Sequence, residues 1–180
     1  VYDIAAITDK KVKVQYNSKH IPIKNFLQYT DFYVGDVKRI YESTDERWEY
    51  AVCLAPDDEF TQVSFVNGIN TNKGGKHVEY ILNQITRKLI AYIKKKRKID
   101  VKATTLKEQL MLFVNCSIEN PSFDSQTKDF MNTPIPKFGS SCEVSDKFIE
   151  KIAMKSGLGV MEMAMNLTQV KEIKEVKKTD

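Results

Sequence analysis

Histidine and cysteine are scarce. Two histidines, His20 and His77, and three cysteines, Cys53, Cys116 and Cys142, are spread over 180 residues. No cysteine lies near either histidine, so a zinc site is not expected, and no metal-ligating residue is assigned. An odd number of widely spaced cysteines argues against a disulfide framework and for a reducing compartment. Long apolar runs are also missing: none approaches the roughly 20 residues that span a bilayer, which leaves no membrane role. The first residues, Val1-Tyr2-Asp3-Ile4, lack a signal-peptide pattern and read as an internal piece of a longer chain. There is no internal repeat and no low-complexity tract. With 42% apolar residues, the chain reads as one folded domain, residues 1–180, rather than a disordered segment.

Charge of one sign is lacking too. Lysine and arginine number 28 against 24 acidic residues, a net charge of +4. A nucleic-acid role must therefore rest on where the cations lie. Five of them are consecutive: Lys94, Lys95, Lys96, Arg97 and Lys98. Three readings stay open for this run: a solvated helix C-terminus, where cations suit the macrodipole, a nuclear-localisation-like run, and a contact with DNA phosphates.

Periodicity divides the chain. Val12, Val14 and Tyr16 alternate with polar residues, and Asn17-Ser18-Lys19 turns the chain into His20-Ile21-Pro22-Ile23. Phe26, Tyr29 and Tyr33 suggest a short helix over Asn25 to Val34. Trp48 to Leu54 and Phe60 to Val66 alternate as strands, separated by Pro56-Asp57-Asp58, and are expected to pair as an antiparallel hairpin. From His77 the apolar period becomes helical, through Val78, Ile81, Leu82, Ile85, Leu89, Tyr92 and Ile93. Leu110 to Ile118 is nearly all apolar, as suits a strand buried on both faces. A long stretch, Glu119 to Ser141, has no period. Ser145 can cap a helix with Phe148, Ile149 and Ile152. A last helix carries Val160, Met163, Leu167 and Val170 and becomes highly charged. An α/β body over 1–155 and a C-terminal helix over 156–180 are expected.

Few residues carry chemistry. Lys73-Gly74-Gly75-Lys76 before the long helix lacks the spacer and Lys-Ser/Thr ending of a phosphate-binding loop, and its glycines suit a tight turn. The loop Phe123-Asp124-Ser125-Gln126-Thr127-Lys128 presents an ammonium, an amide and hydroxyls, groups that can bind a phosphate. From chemistry alone the better reading is an ordinary polar loop. No triad, acidic pair or activated nucleophile is present, so no catalytic residue is assigned.

Three motifs, in order, resemble a known family. Asn70-Thr71-Asn72-Lys73-Gly74-Gly75-Lys76-His77 resembles the Asn-Thr-x-x-Gly-Gly-x-His signature of type IIA DNA topoisomerases. Glu119 to Lys128 contains that family's Gln-Thr-Lys loop. Phe138-Gly139-Ser140-Ser141-Cys142, followed by Ser145-Asp146-Lys147-Phe148-Ile149, is similar to the eukaryotic branch, which includes forms from large DNA viruses. The resemblance implies a transducer domain with a ribosomal-S5-like α/β (α+β) fold: a mixed sheet, helices on one face, and a long C-terminal helix. It implies an ATP-binding domain upstream and a DNA-cleaving core downstream, both outside this chain, in a homodimeric enzyme that uses ATP and Mg2+. Gln126, Thr127 and Lys128 would then bind ATP, with Gln126 and Lys128 at the γ-phosphate, and Lys94 to Lys98 would face DNA. Such an enzyme is intracellular: nuclear if cellular, in host cytoplasm or nucleus if viral. The alternative is an S5-like nucleic-acid-binding module without ATP sensing.

Overall fold

A computed structural model describes residues 1–176. A short helix α1 (Tyr2–Ile7) opens the chain, and β1 (Gln15–Tyr16) pairs with β2 (Lys19–His20). The turn between them is Asn17-Ser18, both at positive φ, as a two-residue hairpin of type I′ requires. Helix α2 (Phe26–Val34) is capped by Asn25, whose side chain accepts from the Gln28 amide. The strands β3 (Arg39–Asp45), β4 (Trp48–Leu54), β5 (Thr61–Val66), β6 (Ile69–Asn70) and β7 (Gly74–Gly75) follow. Helix α3 (Lys76–Arg97), helix α4 (Ala103–Lys107) and strand β8 (Leu110–Cys116) come next. Strand β9 (Phe130–Met131), a single 3-10 turn (Ile135–Lys137), α5 (Asp146–Ala153) and α6 (Val160–Val176) complete the described residues.

The main sheet is mixed and five-stranded, in the order β3-β4-β8-β5-β6. Strand β8 is central, antiparallel to β4 and parallel to β5. This corrects the expected hairpin of Trp48–Leu54 with Phe60–Val66. The two strands do run in opposite directions, but β8 lies between them, because β5 reaches β8 through the α3 crossover and the 55–60 loop has to pass over β8. The true hairpin partner of β4 is β3, whose exposed residues hid the alternation. Asn67-Gly68, both at positive φ, form the tight turn of the β5–β6 hairpin.

Alternation in the central strands sorts the core into two layers. Tyr50, Val52, Leu110, Leu112 and Val114 face α3, α5 and the start of α6. Ala51, Cys53, Met111 and Phe113 face α1 and α2. The expected layer of helices on one face is present; α1 and α2 additionally close the other face, which is why the apolar run of β8 is continuous. Helix α3 buries Val78, Ile81, Leu82, Ile85, Leu89 and Ile93. Each such side chain contributes about 1.5–3 kcal/mol, so this stripe rather than intrinsic propensity fixes the helix on the sheet. The serine cap of α5 is formed as expected: Ser145 Oγ accepts from the Phe148 amide at 3.1 Å. Helix α6 begins inside the body, with Val160, Met161 and Ala164 buried, and then exposes Leu167 and Val170. Residues 177–180 of the expected C-terminal helix lie outside the described part.

The first strands are shorter than expected. Val12 to Tyr16 contributes two paired residues, Gln15 and Tyr16, and His20 to Ile23 only His20, because neither segment joins the main sheet. The 119–141 stretch is ordered without period. It is stitched by Glu119 N–H to the Phe138 carbonyl (3.1 Å), Ser122 N–H to Thr133 Oγ1 (2.7 Å) and Asn132 N–H to the Ser122 carbonyl (3.0 Å). Trp48 donates from Nε1 to Ser140 Oγ at 2.9 Å and packs its ring against Tyr80 and Phe138. The Phe138–Cys142 motif is thus a clasp on the sheet.

Candidate functional site

The segment Phe123–Lys128 is the tip of a hairpin-like loop. Its base is closed by a bridge between Phe123 and Met131 and by Asp124 N–H to the Phe130 carbonyl at 3.2 Å. At the tip, Lys128 donates its amide to the Ser125 carbonyl at 3.2 Å and sits in the left-handed region, φ 58°. Gln126 and Lys128 are exposed, and among the described residues neither side chain has a hydrogen-bond or ion-pair partner. The Lys128 ammonium lies 5.8 Å from the Phe123 ring centroid. Thr127 is used differently: its hydroxyl donates to Asp129 Oδ2 at 2.8 Å and lies 2.8 Å from Ser125 Oγ.

The loop is anchored to the start of α3. Strand β7 pairs in parallel with β9, placing Gly74 beside Phe130 and Gly75 beside Met131. Lys73 donates its amide to the Asp129 carbonyl at 2.9 Å, and its ammonium is 3.8 Å from Asp129 Oδ2. Glycine is required at 75: with φ at 153°, a Cβ would sit 2.7 Å from the Met131 nitrogen and closer still to its carbonyl oxygen. The paired glycines therefore serve a turn and a close approach of two backbones.

A buried polar node holds this anchor on the sheet. Thr71 Oγ1 donates to the Ser64 carbonyl (3.0 Å), lies 2.5 Å from Ser64 Oγ, and meets His77 Nε2 at 3.1 Å. With the Thr71 proton directed to Ser64, the imidazole donates from Nε2, and Nδ1 is left as a bare, buried acceptor. Burial lowers the His77 pKa from its ordinary 6.5 to about 3, so the ring is neutral. The Asn-Thr-x-x-Gly-Gly-x-His pattern is explained by this geometry, and His77 is a structural residue rather than a ligand.

Lys94 to Lys98 lie at the far end of α3, about 33 Å away by the rise of a 22-residue helix. The structure does not bring the two candidate sites together; one helix separates them. All five cations are exposed. Lys98 caps the helix in the left-handed conformation, donating to the Lys94 carbonyl at 3.0 Å. Lys94 pairs with Asp100 at 2.5 Å, and Lys96 lies 5.8 Å over the Tyr92 ring. Beside them a groove of about 720 Å³ separates α3 from α5, lined by Lys88, Lys95, Lys96 and Lys147 together with Asp146 and Glu150.

Residues 12–179 match the family described as DNA gyrase B. The chain belongs to the DNA gyrase B family. It is 42% identical to DNA topoisomerase 2 of Arabidopsis thaliana over 190 residues, which cover all of this chain and 13% of that protein. Among solved structures it is similar to the ATPase region of Saccharomyces cerevisiae topoisomerase II, with TM-score 0.83, 35% identity, and 94% of this chain and 43% of that one covered. It is also similar to the ATPase and transducer domains of DNA topoisomerase II from Balamuthia mandrillaris, with TM-score 0.78, 36% identity, and 99% and 43% covered. The chain thus spans 13% of the length of its plant relative.

In this gyrase B family chain the loop is an open, polar hairpin tip. It offers one ammonium and one amide to an anion but no enclosing walls, and it contributes nothing to the groove between α3 and α5. Among the described residues no group of three or more His, Cys, Asp or Glu could hold a metal ion. No helix among them is long and apolar enough to cross a membrane. Two features escaped the sequence reading. Asp129, the brace of Thr127, follows the motif directly, but a lone loop aspartate carries no signal. Lys147 joins the lysines of α3 across more than 50 residues of sequence, a proximity that only the packing of α5 on α3 creates.

Proposed function

We propose that this chain is the transducer domain of a type II DNA topoisomerase, relaying ATP binding in an upstream domain to DNA strand passage downstream. The observation that carries the reading is the layout of α3: a phosphate-competent loop is anchored at its N-terminal end and a run of exposed cations sits at its C-terminal end. Gln126 and Lys128 present an amide and an ammonium to the γ-phosphate of ATP held by the upstream domain. The Lys128 ammonium attracts that phosphate and stabilises the charge that builds during hydrolysis. The residues present fit the far end of a triphosphate; they do not fit the nucleoside or a metal, so Mg2+ would be held with ATP by the upstream domain, where it neutralises phosphate charge.

ATP then favours one orientation of the two domains, since a ligand shifts an equilibrium only through differential contacts, and Lys128 supplies such a contact. Lys94 to Lys98 face the DNA, Arg97 among them. The working enzyme is a homodimer, intracellular, and nuclear where the source is cellular or in host cytoplasm or nucleus where it is viral. Steady-state ATPase of a Lys128→Ala full-length enzyme tests the reading. Reduced turnover with unchanged ADP affinity supports it. Wild-type turnover would leave the nucleic-acid-binding module as the better account.

A further inference from the structure

Lys128 stands at a loop tip in a sparsely populated backbone conformation, and something must hold it there. Its own side chain does little, since it meets only the Phe123 ring at 5.8 Å, and among the described residues neither Lys128 nor Gln126 has a side-chain hydrogen bond or ion pair. The hydroxyl of Thr127 has one proton, directed to Asp129 Oδ2, so the Ser125 hydroxyl donates to Thr127 and a one-way chain runs Ser125 to Thr127 to Asp129. Asp129 is fixed in turn: its carbonyl accepts from the Lys73 amide, and its carboxylate faces the Lys73 ammonium. One residue further, β9 is registered on β7 by the close approach of Gly75 to Met131. The β7 segment leads straight into α3, and Thr71 and His77 lock that junction onto β5.

We infer that Asp129, acting through the Thr127 hydroxyl, and Gly75, acting through Met131, are the positioning residues of the Lys128 loop, and that Thr127 braces the loop rather than touching phosphate. The loop tip and α3 then form one rigid body, so a displacement of Lys128 is a displacement of the helix that carries Lys94 to Lys98. This rests on the reading of Lys128 as the phosphate sensor.

The test uses the full-length enzyme. Asp129→Ala removes the acceptor of Thr127 and the partner of Lys73 without touching the core. It is expected to lower kcat about tenfold, because small misplacements of a charge-stabilising group have large effects. ADP affinity and Tm should stay unchanged, and amides 124–130 should exchange with deuterium faster. Asp129→Asn keeps an acceptor oxygen for Thr127 and should restore most of the turnover and the protection. Gly75→Ala is expected to lower turnover as well, and the Asp129 pair keeps the inference testable if that variant does not fold. Wild-type turnover and exchange in Asp129→Ala, beside reduced turnover in Lys128→Ala, would overturn the positioning role and leave the sensor standing. A fall in Tm or an equal loss of ADP affinity would mark Asp129 as merely structural and overturn it too. Unchanged turnover in Lys128→Ala would overturn both.

Discussion

Mild acid should weaken the Ser64–Thr71–His77 node. His77 is buried with Nδ1 unpartnered, and its pKa falls from 6.5 to about 3 on folding. Between these values the unfolded chain binds a proton that the folded chain does not. Stability is therefore fully present above pH 6.5 and is lost as the pH falls toward 3. At pH 5, about 1.5 pH units below the ordinary value, the loss is about 2 kcal/mol. For a domain of this size that corresponds to a fall in Tm of about 4–8 °C. The assay is a pair of thermal melts, wild type and His77→Gln, taken at steps from pH 7 to pH 5. The variant cannot titrate at this position, so its deficit at pH 7 should shrink by about 2 kcal/mol at pH 5, all other titrations cancelling in the difference. Parallel pH dependences for the two proteins would refute the buried neutral imidazole.

Two further outcomes are expected. Replacing Lys94, Lys95 and Lys96 with alanine should weaken DNA binding and flatten the log–log salt dependence by about 0.9 for each phosphate no longer neutralised, whereas an unchanged slope would leave these residues as a solvated helix end. The purified 180-residue chain should hydrolyse no ATP in a steady-state assay, because its exposed loop offers an ammonium and an amide but no enclosing pocket and no general base; robust turnover would contradict the proposed placing of the ATP site in another domain.

How much of this was legible in the sequence depended on whether the signal was local. The stripe from Val78 to Ile93 is a property of one helix, and its burial follows from spacing alone. The apolar run from Leu110 likewise announced a strand covered on both faces. The Asn67-Gly68 turn leads into the two-residue β6, a strand too short for any pattern. The pairing of β4 is not legible in the sequence, because strand order in a parallel crossover is set by where α3 lands, and β3 carries Glu42 and Tyr41 on a half-exposed edge that shows no alternation. At the site, the motif resemblance picked out Gln126, Thr127 and Lys128, while composition saw only a polar loop. It could not reveal that Thr127 turns its hydroxyl inward to Asp129, since Asp129 is held from Lys73, or that the Gly75 and Met131 backbones meet. Both depend on pairing between segments more than 50 residues apart.

The central claim is that Lys128 senses the terminal phosphate of ATP. Its most direct test is steady-state ATP hydrolysis by the full-length Lys128→Ala enzyme, with ADP affinity measured beside it. Lys128 is exposed, so the substitution removes a charge and little packing. By analogy with other charge-stabilising groups, kcat/KM should fall roughly ten- to a thousandfold. ADP, which lacks the γ-phosphate, should bind as before. An ADP affinity that falls as far as turnover, or turnover that does not fall, would contradict the account.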